Sequence, residues 1–145
     1  MAAKKKPAAV GATLLGLALA LPPLLVAPFL IRGLAADAWI GHYAAQDKLP
    51  RPSRAAARTL IEKTSAAMWH LAPLPQASAA AIRALDVGVR VEHGEKDPEA
   101  AIVIYRGVRE ACVAVRDRPL SGAGFAVIEA RAKALEDAAL KAVGK

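Results

Sequence analysis

Cysteine is almost absent from this chain of 145 residues, which contains only Cys112. A single thiol cannot form an intramolecular disulfide and cannot supply a metal site built from several cysteines. Cys112 falls on the apolar side of a predicted helix, where a free thiol usually packs as a small hydrophobic side chain. We expect Cys112 in the core; a reactive or intermolecular thiol is the alternative.

Aromatic residues are also scarce, at 4% of the chain, so a small Ala-rich domain has little material for lining a binding pocket. The three histidines, His42, His70 and His93, lie on separate segments and lack the spacing of metal ligands. No phosphate-binding loop, dinucleotide fingerprint or nucleophile elbow occurs. The sequence therefore predicts no metal ion and no cofactor.

Carboxylates that could act as a catalytic pair occur at two places, Glu92 with Glu95 and Glu136 with Asp137. Both places are predicted to be exposed to solvent. Carboxylates with unshifted pKa values on a surface are poor general acids. We therefore expect no catalytic residues and no enzymatic activity.

The formal net charge is +7, but it is unevenly placed. Lys4, Lys5, Lys6 and Arg32 account for four of the 20 basic residues, which leaves 16 basic and 13 acidic side chains after residue 32. No cluster of basic residues with interleaved aromatics is present. The balance predicts that nucleic acid is not a partner.

Between Lys6 and Arg32 the chain carries no charged side chain. As a helix, residues 8–31 would span about 36 Å, and the hydrocarbon core of a bilayer is about 30 Å thick. Lys4, Lys5 and Lys6 should stay cytoplasmic under the positive-inside rule, with Arg32 on the far side. The segment is predicted to be a single-pass signal anchor, with the C-terminal domain in the periplasm if the source is a bacterium.

Three prolines, Pro22, Pro23 and Pro28, interrupt this segment and predict a kink. An alternative is that the apolar run ends early and that residues 18–20, Ala-Leu-Ala, form a signal-peptide cleavage site. We favour the uncleaved anchor because residues 21–31 remain apolar, and cleavage would expose them at the new N-terminus.

Aromatic side chains follow the anchor at Trp39 and Tyr43, with His42 beside them, in a stretch that could continue as helix from residue 34 to 46. Tryptophan and tyrosine favour the membrane interface. We therefore predict that Trp39 and Tyr43, together with the flanking basic residues, lie at that interface. Contact with a quinone or haem is the functional alternative, and nothing else in the sequence supports it.

Four helices are predicted after residue 52. The first begins with Ser53 as N-cap and ends at Leu71, because the prolines in residues 72–75 cannot continue it. The second covers about Ser78 to His93. Its apolar side chains recur around a wide arc, as in a helix that packs on two sides.

The β-branched run at residues 87–91 also alternates like a strand, but the chain offers no good partner strand. The third helix has the clearest start, with Asp97 as cap, Pro98 at the first position and Glu99 near the positive end of the dipole. Its predicted buried stripe consists of Ala101, Ile104, Tyr105, Val108, Ala111, Cys112 and Val115. Its predicted solvated face carries Arg106, Arg109 and Glu110.

The fourth predicted helix begins at the cap Ser121 and stops at Gly144. Apolar residues recur along it at alternating spacings of three and four, which is typical of a packing seam. The seam consists of Phe125, Ile128, Ala132, Leu135, Ala139 and Ala142. Small side chains at several positions allow close approach of a neighbouring helix, so packing within the chain and a homo-oligomeric coiled coil both remain open.

The predicted fold is therefore all-α, with one N-terminal transmembrane helix followed by a small bundle or stacked hairpins of about four helices. The predicted domain layout is a basic tail at 1–7, the anchor at 8–31, a juxtamembrane segment and linker at 32–52, and a helical soluble domain at 53–145.

One hairpin, residues 78–112, carries a recognisable pattern. Gly88 falls in its first helix, its turn lies at residues 94–96, and its second helix has the small-large-small rhythm of Ala100, Ile104 and Gly107. In these features the hairpin resembles a single tetratricopeptide-type unit. The resemblance implies a protein-binding scaffold without catalytic residues.

The anchor and the catalytically bare helical domain suggest an accessory or assembly subunit of an envelope complex, with membrane lipid and other envelope proteins as partners. The alternative is a bundle that binds a small ligand or lipid in an apolar cavity between the helices near Trp69 and Tyr105.

Overall fold

A computed structural model describes residues 8–72, 74–118 and 124–144, with side chains from residue 25 onward. All regular structure in these ranges is helical, which confirms the predicted all-α class. The five described helices are α1 (Ala8–Ala45), α2 (Ser53–Leu71), α3 (Pro75–His93), α4 (Pro98–Arg116) and α5 (Gly124–Val143).

The helices form a two-layered bundle in which consecutive helices are antiparallel. Helix α3 packs beside α1 and α5 in one layer, and α2 packs beside α4 in the other. Neighbours within a layer run parallel: Arg90 of α3 donates a hydrogen bond to the Ala44 carbonyl of α1, 46 residues earlier. Arg54 of α2 likewise pairs with Glu99 of α4. The bundle is therefore a series of hairpins stacked in sequence order.

The first turns of α2 and α4 are capped in different ways, one by a backbone carbonyl and the other by a side chain. Asp97 caps α4 as predicted, since its Oδ1 accepts a hydrogen bond from the Ala100 amide at 3.1 Å. The predicted cap at Ser53 is wrong. Pro52 takes the cap position, its carbonyl accepts from the amides of residues 55 and 56, and Ser53 is the first helical residue.

Helix α3 begins at Pro75, three residues before the predicted start. Proline fits the first helical position because its missing N–H would be unpaired there in any case. The run at residues 87–91 is helical, and Val87 and Val91 are buried. The helical periodicity therefore prevails over the β-branched composition.

Small residues allow the helices to approach closely. A Cβ atom built at Gly88 would lie 2.6 Å from the Tyr105 ring, and one built at Gly107 would lie within 3 Å of the Ile61 side chain. The predicted buried stripe of α4, including Cys112, is buried throughout. Glycine at these two crossings thus sets the spacing of α4 from α3 and α2.

Helix α1 continues without interruption from Ala8 into the bundle, and it confirms the predicted helix after residue 34. Ala36, Ile40 and Tyr43 are buried against the neighbouring helices. Their spacing of four and three residues places them on one helical face. The bundle therefore contains five helices, one of which begins within the apolar N-terminal segment.

Over the residues whose side chains are described, no helix combines the length and the apolar character needed to cross a membrane. Most of the predicted anchor at 8–31 falls outside this set, because its side chains are described only from Leu25. Lys4, Lys5 and Lys6 lie outside the described residues, and for the alternative cleavage site at 18–20 only the backbone is described.

Candidate functional site

Exposed apolar side chains collect at one end of the bundle, which we call the α1 end. It is formed by residues 25–34 of α1, the last turns of α2 and α4, and the first turns of α3 and α5. Leu25 is 70% exposed and Trp69 44% exposed. Of the large hydrophobic side chains exposed in the described ranges, all except Ile82 lie here: Leu25, Val26, Phe29, Ile31, Leu34, Trp69, Leu74, Val113 and Val127.

The opposite end of the bundle is polar. Its connections at residues 46–52 and 94–97 carry exposed Asp47, Lys48 and Lys96. The side chain of Glu95 accepts a hydrogen bond from the Leu49 amide at 2.9 Å and so ties the two connections together. The bundle is therefore polarised along its long axis, from a charged end to an apolar one.

A groove of about 520 Å³ opens at the α1 end. One wall is the segment 25–30 of α1, and the other is formed by residues 69–72 and Leu74 at the α2–α3 junction, with Arg118 at the rim. The rings of Phe29 and His70 meet edge to face, with centroids 5.0 Å apart. The groove is thus lined almost wholly by apolar surface contributed by α1 and by the end of α2.

Arg118 and His70 provide the polar groups of this groove. The Arg118 guanidinium lies over the Trp69 indole, 3.9 Å from the ring centroid, and donates a hydrogen bond to the Trp69 carbonyl. His70 Nδ1 is buried and has no hydrogen-bond partner among the described residues. A cation and an unsatisfied ring nitrogen therefore border an apolar surface.

A second surface feature is a shallow trough between α2 and α4. Three adjoining depressions of about 370, 330 and 340 Å³ share lining residues and follow the two helices from Trp69 to Arg54. Between residues 99 and 115 of α4 the trough would be about 24 Å long. Its floor is formed by Ile61, Gly107, Ala111 and Ala114, and its rim by Arg58, Glu62, Arg106 and Glu110. Trp69 lies where the trough meets the apolar groove.

The described carboxylates take structural positions that the sequence did not predict. Glu136 is only 5% exposed and accepts hydrogen bonds from Arg106 Nε at 2.7 Å and Arg109 Nε at 2.9 Å. The predictions that Glu136 is exposed and that these arginines are merely solvated are therefore wrong. The reason is the packing of α5 on α4, which places the carboxylate between the two guanidinium groups. Asp137 is exposed, as predicted.

The prediction of exposure is also wrong for Glu92 and Glu95, which are partly buried. Glu92 Oε2 accepts a hydrogen bond from the Tyr105 hydroxyl at 2.7 Å. Burial of the Tyr105 ring, together with this hydrogen bond to a carboxylate, raises the pKa of Tyr105 well above its ordinary value. Tyr105 is fully buried and does not line either surface feature, so the space near Trp69 does not extend to it.

The residues predicted at the membrane interface lie in several places. The Trp39 and Tyr43 rings stack with centroids 4.0 Å apart, and Tyr43 is only 9% exposed inside the bundle. Lys63 Nζ lies 5.8 Å from the centroid of the Trp39 ring. Arg32 is exposed at the α1 end. Packing within the bundle accounts for the burial of Tyr43, and interface anchoring stays a prediction.

The predicted seam of α5 faces the rest of the chain along most of its length. Phe125, Ile128, Ala132 and Ala139 are buried, Leu135 is partly buried, and Ala142 is exposed near the last turn. The predicted stop at Gly144 is confirmed, since α5 ends at Val143 and Gly144 has a φ of 75°. The predicted cap Ser121 lies outside the described residues.

The sequence predicted apolar space near Trp69 as an alternative, but it did not place the groove at the α1 end and did not reveal the trough. The signal that could have revealed the groove is the position of Trp69 and Leu74 on either side of a proline-bounded helix break, where large apolar side chains are seldom covered. No such signal exists for the trough, because it depends on which helices lie side by side.

No group of three or more His, Cys, Asp or Glu side chains that could hold a metal ion is found in the described ranges. No protein-family model, curated protein or solved structure matches the chain. The groove and the trough are therefore the features of this chain that bear on its function.

Proposed function

We propose that this chain is a non-catalytic, single-pass protein of a bacterial inner membrane, anchored by residues 8–31 with its N-terminus in the cytoplasm. Its periplasmic helical bundle binds other envelope proteins, as an accessory or assembly subunit of an envelope complex. The uncharged length of the N-terminal segment supports the anchor. The tetratricopeptide-type pattern of residues 78–112 is compatible with a binding scaffold.

The trough between α2 and α4 is the observation that carries the protein-binding role. It is long and shallow, and the small side chains of Ala111 and Ala114 leave room for a partner helix to approach closely. Both signs of charge line the rim, as at Glu62 and Arg106, which suits an amphipathic segment with its own charged flanks. Helix-in-groove recognition uses this combination of an apolar floor and a polar rim.

Site-specific crosslinking in intact cells tests this role. A photoreactive amino acid at Ala114, exposed in the trough, should give discrete heavier adducts with an envelope protein. The matched control is Ala130, which is exposed on α5 away from the trough, and it should give none. The proposal fails if Ala114 yields no adduct and a detergent extract releases the chain alone as a monomer.

The anchor is tested separately. The full-length chain should stay with membranes during carbonate washing, and a C-terminal reporter that is active only in the periplasm should be active. Release by carbonate, or a C-terminus located in the cytosol, would contradict the proposed topology.

A second candidate is binding of a small apolar ligand or lipid molecule, and the groove at the α1 end favours it. Its volume of about 520 Å³ is within the range of small-molecule sites, and the unsatisfied His70 Nδ1 could accept or donate one hydrogen bond. Native mass spectrometry of the full chain released from detergent should then show a retained ligand. Loss of that ligand in Leu74→Asp, with helicity unchanged, would assign it to the groove.

A further inference from the structure

The apolar α1 end of the bundle has no covering partner among the described residues. We propose that it lies directly on the membrane, with Phe29, Trp69 and Leu74 at the boundary of headgroups and acyl chains, and with Arg118 on the lipid phosphates. This inference depends on the anchor of the proposed function and adds a second, peripheral contact between the bundle and the bilayer.

Helix α1 continues from the apolar segment directly into the bundle. The apolar segment ends at Ile31, and Gly33 is already buried, with its Cα so close to α2 that an added Cβ would lie 2.6 Å from the Leu71 side chain. Two residues of helix advance by only about 3 Å. No linker therefore separates the anchor from the bundle, and the end of the bundle is held at the level of the membrane surface.

The apolar segment and the end of α2 are also in direct contact. Phe29 belongs to the apolar segment, and its ring meets the ring of His70 at the end of α2. If Phe29 is at the depth of the last turns of the anchor, then Trp69 and Leu74, which line the same groove, are at a similar depth. Water would otherwise cover the exposed apolar side chains that gather at this end, and contiguous apolar surface commonly marks an interaction site.

The side chains at the rim of the groove suit the headgroup region of a bilayer. Tryptophan concentrates at membrane interfaces because its ring is apolar and its N–H is polar. Arg118, which lies over the Trp69 ring, presents a guanidinium that can bind phosphate oxygens in a bidentate manner. No acidic side chain is among the described residues that line this groove, so nothing there would repel a lipid phosphate.

The two tryptophans of the chain make the test direct. In Trp39→Phe the only indole is Trp69, and in Trp69→Phe it is Trp39. Trp39 lies ten residues beyond Phe29 and so about 15 Å further along α1, which places it outside the interface that the sequence predicts for it. The full-length variants are reconstituted into phosphatidylcholine vesicles whose acyl chains carry bromine near the headgroup. We expect Trp69 fluorescence to be quenched several-fold more strongly than Trp39 fluorescence, and to be protected from acrylamide in water.

Vesicle flotation separates this inference from the proposed function. If the chain does not float with the vesicles, the anchor itself is refuted, and the inference with it. If the chain floats but Trp69 is not quenched by bromine and is open to acrylamide, the bundle stands clear of the lipid and only the inference is overturned. A third outcome is that Trp69 is protected from both quenchers and the chain is dimeric in detergent. That would show that a second copy of the chain covers the α1 end, and it would also overturn the inference.

A labelled cysteine gives the same information if Trp39→Phe disturbs the bundle. Leu74→Cys carrying an environment-sensitive fluorophore should report an apolar environment in vesicles, whereas Asp47→Cys at the polar end should report water. The native Cys112 is fully buried, so labelling is directed to the introduced thiol. Equal, water-like emission at both positions would refute the contact with lipid.

Discussion

Replacing Glu136 by alanine removes the carboxylate that joins α5 to α4. Loss of one partner from a fully buried ion pair costs about 3–5 kcal/mol, and a fully exposed pair contributes only about 0–1 kcal/mol. Here the carboxylate is buried, but the Arg106 and Arg109 side chains are 50% and 33% exposed. Water can therefore accept some of the hydrogen bonds that the two guanidinium groups would otherwise donate to the carboxylate. We expect Glu136→Ala to lower the free energy of unfolding by about 2 kcal/mol.

Urea unfolding of the full chain in detergent, followed by far-UV circular dichroism, measures this loss. The corresponding fall in Tm is roughly 6–10 °C for a bundle of this size. Asp137→Ala is the matched control, because the same substitution at an adjacent, exposed carboxylate of the same helix should change stability by less than about 0.5 kcal/mol. Glu136→Gln keeps the shape and one acceptor oxygen, so it should fall between the two.

Equal stabilities of Glu136→Ala and Asp137→Ala would refute this reasoning. Such a result would mean that Arg106 and Arg109 are as well solvated without the carboxylate as they are paired with it. The packing of α5 on α4 would then depend on its apolar seam alone.

The remaining predictions concern close packing and the buried thiol. Gly88→Ala places a methyl group against the Tyr105 ring, so it should destabilise the chain by about 1–3 kcal/mol. In Gly41→Ala the added Cβ has only an ordinary contact with Arg83, so this substitution should stabilise the chain by about 0.5–1 kcal/mol. The same unfolding assay measures both changes in the free energy of unfolding, and changes of the same sign would contradict the prediction. Burial, aided by the negative charge of Glu129, raises the pKa of Cys112 from its ordinary value of 9.0 to about 12. Because the unfolded thiol loses its proton first, the stability that Cys112 contributes should be complete below pH 9 and be lost between pH 9 and 12. Unfolding measured across this range should therefore show a shallower decline in Cys112→Ala than in the unaltered chain, and identical declines would count against a buried thiol.

The proposed membrane contact and the proposed protein contact adjoin each other. Trp69 lines the end of the trough as well as the apolar groove, so a partner segment lying in the trough would extend to the level of the membrane. A partner that is itself a membrane protein could therefore engage both lipid and trough with one continuous helix. Crosslinks from Ala114 to a membrane-spanning partner would be the corresponding result.

Several features of the fold were predictable from local sequence. The start of α4 follows from Asp97 and Pro98, because a cap and a proline at the first position act within one turn of helix. The buried stripe that includes Tyr105 and Cys112 follows from the spacing of apolar residues. The seam of α5 follows from the same spacing, apart from Ala142, which is exposed. All of these depend on residues fewer than about eight positions apart.

Other features could not be predicted because their causes are distant in sequence. Glu136 and Asp137 are adjacent and chemically similar, yet only Glu136 is buried, because two arginines about thirty residues earlier lie opposite it. The inclusion of α1 in the bundle likewise depends on a neighbour 46 residues away, where Arg90 reaches the Ala44 carbonyl. In both cases the spacing of residues within one helix does not indicate which distant residue will be the contact partner.

The sequence by itself determined that the chain is helical, where most helices begin and end, and that an uncharged apolar run precedes them, since these depend on hydrogen bonding and periodicity within a few turns. Only the tertiary structure decided that the helices stack in two layers, that a surface trough follows the line where α2 packs on α4, and that the exposed apolar side chains gather at the end where α1 enters. The physical reason is that surface features form between helices, and their positions depend on close approaches such as that of Gly107 to Ile61, which join residues far apart along the chain.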